Sequence, residues 1–85
     1  MVGGGREETP LQRACRDAGL SNDDLWLRYF ALGGTAMPAE VREYVRGTRQ
    51  PEHSEYDVVV HAINERYMEL NRPERVPYAP PAGSV

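Results

Sequence analysis

Lysine is absent from this chain. All ten basic residues are arginines, set against thirteen aspartates and glutamates, for a net charge of −3. Arginine-only usage, with many Ala, Gly, Val and Pro, points to a GC-rich genome rather than to a mechanism. The acidic total argues against bulk nucleic-acid affinity, which depends on Lys and Arg neutralising phosphates. Cysteine is nearly absent too. Cys15 stands alone, which excludes an internal disulfide framework and a cysteine-based zinc site. No apolar run approaches the roughly 20 residues that span a bilayer. Met1 to Glu8 place no apolar stretch behind the first charges, so no signal peptide is expected and the cytoplasm is the default compartment. The triple glycine at residues 3–5 is not followed by Gly-Lys-Ser/Thr, so it is no phosphate loop. Length is also short, at 85 residues. That excludes a large multi-domain enzyme, a membrane channel and a repeat array. A domain of about 60 residues buries only about 60% of the surface its unfolded chain exposes.

What is present is helical punctuation. Residues 1–8 read as a disordered lead, 9–71 as one helical domain and 72–85 as a Pro-rich tail. Thr9-Pro10 reads as a cap and first helical residue, and a short helix runs to Ala18 before Gly19. Leu11, Ala14, Cys15 and Ala18 share its apolar face, which makes Cys15 a small buried residue rather than a nucleophile. Ser21 caps a second helix, with Asp23 and Asp24 in the first turn. From Leu25 to Leu32 every residue except Arg28 is apolar or aromatic. A helix hydrophobic all round must be covered on all sides. Either it lies at the centre of the domain, or one flank meets a partner.

Thr35 to Arg46 reads as a third helix with Thr35 as a possible cap. Met37, Val41, Tyr44 and Val45 share a face, and Arg42 and Arg46 lie on its flank. Ser54-Glu55-Tyr56-Asp57 reads as the cap of a fourth helix ending near Asn71. Its stripe is Tyr56, Val59, Val60, Ile63, Tyr67 and Leu70, which leaves Val58, Ala62 and Met68 off the apolar face. Beyond it, Val76 and Tyr78 are apolar enough to anchor part of the tail. The fold class expected is all-α: a compact bundle of three to four short helices with disordered N- and C-terminal tails.

Chemistry has few footholds. His53, Asp57, His61 and Glu65 recur at steps of four, a spacing that can gather ligands on one helical face. The ladder points away from the apolar stripe, so it reads as a solvated face. Ser54, Asp57 and His61 lie on one element and make no nucleophile, base and oxyanion pocket. No enzyme activity, cofactor, metal or small-molecule substrate is expected.

Surface recognition remains. Residues 35–50 carry a net charge of +1 and residues 51–71 a net charge of −4. Trp26, Leu27 and Phe30 point to sides of the second helix that Leu25, Tyr29 and Leu32 do not. Trp26 and Phe30 either fill the core or serve as anchors for a partner, with Arg28, Arg42 and Arg46 as polar rim. The partner is another protein, or the chain itself as a homodimer. The alternative is a helix-turn-helix that binds DNA through the third helix. Against it, Glu40 and Glu43 share that helix, and its start offers no hydrogen-bonding side chain beyond Thr35.

The stretch Asp24-Leu25-Trp26-Leu27-Arg28-Tyr29-Phe30-Ala31-Leu32-Gly33-Gly34-Thr35-Ala36, with His61-Ala62-Ile63-Asn64-Glu65-Arg66 later, resembles small uncharacterised helical proteins of GC-rich actinobacteria. The resemblance covers roughly Leu20 to Tyr78. It implies a bacterial cytoplasmic protein with a regulatory role, and it carries over no catalytic or binding residue.

Overall fold

Thr9 decides where the first helix begins. In the computed structural model, which describes residues 8–78, the Thr9 hydroxyl accepts from the Gln12 N–H at 3.0 Å, and Gln12 Oε1 accepts from the Thr9 N–H at 2.8 Å. This reciprocal pair satisfies two donors that the first helical turn would leave open. Helix α1 then runs Pro10–Asp17. Ser21 and Asp24 repeat the device at 3.0 and 3.1 Å, and α2 runs Asn22–Ala31. Helix α3 runs Pro38–Arg46 and α4 runs His53–Glu69. The fold is an all-α bundle of four helices, with no strand among the described residues. Of the lead expected at residues 1–8 and the tail expected at 72–85, residues 1–7 and 79–85 lie outside the described residues.

Two helix starts differ from expectation. Thr35 is not the cap of α3; that position falls to Met37, at φ −78° and ψ 160°. Pro38 is the cause, because a proline holds the residue before it in the extended region. Glu40 Oε1 accepts the Met37 N–H at 2.9 Å. Ser54 is not the cap of α4 either, since the helix already starts at His53 behind Glu52. Glu52, His53 and Ser54 are exposed, so water can satisfy the first-turn donors without a side-chain cap.

The core lies where α1 and α2 meet α3 and α4. Leu11 and Ala14 enter it from α1, Leu25 and Tyr29 from α2, Val41 and Val45 from α3. Helix α4 contributes Val59, Val60, Ile63 and Tyr67. Ala62, expected off the apolar face, is fully buried. Helix α4 packs against both α1 and α2, so its covered face is wider than the single stripe. Leu70, expected within the stripe, is partly exposed, and Met68 is exposed.

Residues 72–78 have no regular structure, yet they hold to the bundle. Val76 is buried, and its N–H and C=O bond Asn64 Oδ1 and Nδ2 at 2.8 and 3.1 Å. The Asn64 amide thus acts as a stand-in peptide group for an extended strap. Arg72 fastens the strap further back, with Nη2 2.9 Å from Asp17 Oδ2 and the guanidinium 5.4 Å from the centre of the Tyr67 ring.

Candidate interaction surface

Tyr29 fixes α2 in place. It is fully buried, and its hydroxyl accepts the Ala36 N–H at 2.8 Å while donating to the Glu55 carboxylate. One phenol therefore ties α2, the turn into α3 and the start of α4 together. Burial, and then the bond to Glu55, push the Tyr29 pKa up. Gly34 lies directly over this ring: a Cβ there would come within 2.2 Å of Tyr29 Cζ.

On the flank toward α4, Arg28 forms a fork with Glu69. Its Nη1 and Nη2 donate to the two carboxylate oxygens at 2.8 and 2.7 Å. Those bonds hold the Glu69 carboxyl at a pKa of about 2, with a further bond from Arg66. Arg66 also donates to the Ala18 carbonyl at 3.2 Å, at the end of α1. Arg28, Arg66, Asp24, Leu27 and Ala31 line an open cleft of about 470 Å³ on this flank.

The opposite flank and the outer side of α2 are different. The Trp26 indole N–H donates to the Ala36 carbonyl at 2.9 Å, and the ring stacks on Phe30 with centroids 5.0 Å apart and planes 20° apart. Trp26 is half-buried, whereas Phe30 is 58% exposed and Leu27 60% exposed. Of the two roles foreseen for these aromatics, the core role fails for Phe30. Its ring stacks on Trp26, yet more than half of the residue remains open to solvent. Met37, next in the chain to the Ala36 carbonyl, is exposed as well. Its place just ahead of Pro38 puts it before the helix, off the face that buries Val41 and Val45.

The structure therefore joins Trp26 and Phe30 and separates the three arginines foreseen as their rim. Arg28 is held by α4. Arg42 and Arg46 are exposed on α3 and make no ion pair or hydrogen bond among the described residues, whereas Arg49 nearby pairs with Glu43 at 2.7 Å. Because Arg42, Val45 and Arg46 share a cleft with Ser21, Asn22 and Leu25, the end of α3 meets the start of α2. The two helices run antiparallel. Asn22 and the buried clamp residue Asn64 were not singled out from the sequence, where an asparagine on a helix carries no pattern to distinguish it.

The remaining chemical candidates are accounted for locally. Cys15 is buried, and burial pushes its thiol pKa up to about 11, so it stays protonated and a poor nucleophile at neutral pH. His61 uses both ring nitrogens: Nδ1 lies 3.0 Å from the Tyr78 hydroxyl and Nε2 3.7 Å from Glu65. Among the described residues no group of three His, Cys, Asp or Glu side chains could hold a metal ion, and no helix is long and apolar enough to cross a membrane. Comparison with protein-family models, curated proteins and solved structures finds no match for the chain.

Proposed function

We propose that this chain is a small regulatory protein-interaction module, acting in the cytoplasm by surface recognition and without a cofactor. The recognising surface is the outer side of α2, where Trp26, Leu27 and Phe30 receive the apolar face of another polypeptide. One observation carries the reading. Leu27 and Phe30 stay exposed on a helix whose inner side is buried and whose Arg28 is already paired with α4. Single exposed apolar residues are ordinary. Here two large ones sit three residues apart, so they are neighbours on the helix surface, and one is braced by a stacked tryptophan. Aromatic anchors of this kind are enriched at interface hot spots.

A photoreactive benzoylphenylalanine at position 30 tests this, with the same group at the exposed Ser54 as control. In the source cells, position 30 should give discrete adducts with another protein, position 54 should not, and Leu27→Ser should remove them. Equal adducts from both positions would sink the reading. Adducts of the chain with itself, together with a mass that rises with concentration in light scattering, would instead make the surface a homodimer contact. DNA binding through α3 is the competing assignment. It would be favoured by a duplex mobility shift at low salt that Arg42→Ala with Arg46→Ala abolishes.

A further inference from the structure

Among the described residues, Arg42 and Arg46 are the two arginines that the fold leaves without a partner. Four residues apart on α3, they lie one turn from each other on the same side of the helix. Every other arginine in residues 8–78 is engaged, by a carboxylate in most cases and by carbonyl oxygens at Arg75. Both free arginines line a cleft of about 220 Å³ between the start of α2 and the end of α3. Its other walls are Cys15, Leu20, Ser21, Asn22, Leu25 and Val45, with no carboxylate among them.

Asn22 adds an independent observation. Its Nδ2 is shut off from water and has no hydrogen-bond partner among the described residues. Buried donors in folded proteins are almost always paired, and Asn22 lines the same cleft as the two guanidinium groups, so an acceptor entering that cleft would find a third donor open to it. Asn22 as a whole is half-buried, and its terminal torsion is soft, so the amide can turn toward an incoming group.

We infer that this cleft is a carboxylate-binding subsite that takes an acidic side chain of the polypeptide docked on α2. The source of the carboxylate rests on the function proposed above; the subsite rests on its own geometry. Two guanidinium groups and an amide N–H offer only donors, the arrangement that charge-assisted bonds to a carboxylate need. The floor of Leu20, Leu25 and Val45 is buried, and a low-dielectric wall strengthens such bonds. At about 220 Å³ the cleft is smaller than the roughly 300–1,000 Å³ of pockets that enclose drug-sized ligands. It suits one acidic group. A nucleic-acid backbone presents a run of phosphates, and here only two free cations face it, with Asp23, Glu40 and Glu43 on the same two helices. Asn22 and Trp26 are four residues apart, so they occupy one side of α2. The partner sequence that fits is therefore an Asp or Glu about one helical turn from a large apolar anchor.

Heteronuclear NMR on the full chain tests the subsite without the partner. Sodium acetate is titrated against sodium chloride at matched ionic strength. The Asn22 side-chain amide pair and the Nε–H signals of Arg42 and Arg46 should shift saturably with acetate and stay still with chloride. Arg49, already paired, should move little. Arg42→Gln with Arg46→Gln should abolish the Asn22 response, and Leu27→Ser with Phe30→Ser should preserve it. That last variant separates failure of the subsite from failure of the α2 surface. The assignment is overturned if Asn22 does not respond to acetate, or responds no more than Arg49. It is equally overturned if inorganic phosphate or a short DNA duplex shifts the same signals at concentrations at least tenfold lower than acetate.

Discussion

The two flanks of α2 carry the same kinds of residue and put them to opposite use. Toward α4, arginine charge is consumed inside the molecule: Arg28 forks onto Glu69, and Arg66 bridges Glu69 and the end of α1. Toward α3, Arg42 and Arg46 meet no carboxylate among the described residues, and the aromatic pair Trp26 and Phe30 leaves one ring open. Arginine or aromatic content alone therefore does not mark a recognition surface in a small bundle. The useful distinction is whether the fold has already supplied each group with its partner. The α4 flank answers that with a closed set of ion pairs, and the α3 flank leaves the set open.

Truncating α2 on its two sides is the most direct way to break that contrast. Leu25→Ala should cost about 2–5 kcal/mol in urea denaturation, the usual range for emptying a leucine site in a packed core. Leu27→Ala, two residues on, should stay within about 0.5 kcal/mol, as for a surface position. Comparable losses at both would mean that the outer side of α2 is covered. Gly34→Ala comes next. Its backbone is not left-handed, so the cost is steric, from a methyl driven into the Tyr29 ring. Overpacking of this kind costs about 1–3 kcal/mol, which at about 4–8 °C per kcal/mol for a small domain is easily read as a fall in Tm.

Acid titration sharpens the comparison from the other flank, with smaller effects. The Glu69 pKa is lowered from 4.5 to about 2, chiefly by Arg28. A carboxyl whose folded pKa is depressed contributes stability that is present above its unfolded value and is lost as pH falls through the folded one. The Arg28–Glu69 contribution should thus fade between pH 4.5 and about 2, and Glu69→Gln should flatten that part of the Tm–pH curve. The pair is solvent-exposed, so the change should be small. Alkali acts in the opposite sense on Cys15. Its pKa rises from 9.0 to about 11 on burial, so stability is complete below pH 9.0 and declines as pH climbs toward 11. Cys15→Ala should remove that share of the alkaline loss.

Local signals made much of this fold legible in the sequence. Thr9 and Ser21 are legible as caps from their place before the helical spacing; their return bonds to Gln12 and Asp24 emerge from the structure. The inward face of α1, formed by Leu11, Ala14 and Cys15 with Ala18 at its end, follows from helical spacing alone. Misreadings arose where a distant neighbour decided the outcome. Ala62 is buried because α4 has company on two sides. The Asn64 clamp depends on Val76, twelve residues on, returning along α4. The surface was partly legible, since the all-round apolar run of α2 raised the question of an uncovered flank. Which flank stays uncovered follows from Tyr29 and Arg28, whose partners Glu55 and Glu69 lie on α4. Charge and spacing group Arg28 with Arg42 and Arg46, because they cannot tell a spent arginine from a free one.

Trp26 is the one tryptophan of the chain, and its indole N–H is tied to the carbonyl of Ala36 in the turn between α2 and α3. Its light emission is therefore a single-site gauge that needs no label. A half-buried indole stacked on an exposed ring is poised for change in either direction: a chain seated over Phe30 dries its surroundings and moves the emission to shorter wavelength. Opening of the turn wets it and moves the emission to longer wavelength. Occupation of the surface and loss of the fold thus shift one signal in opposite senses, and a single cuvette can tell them apart.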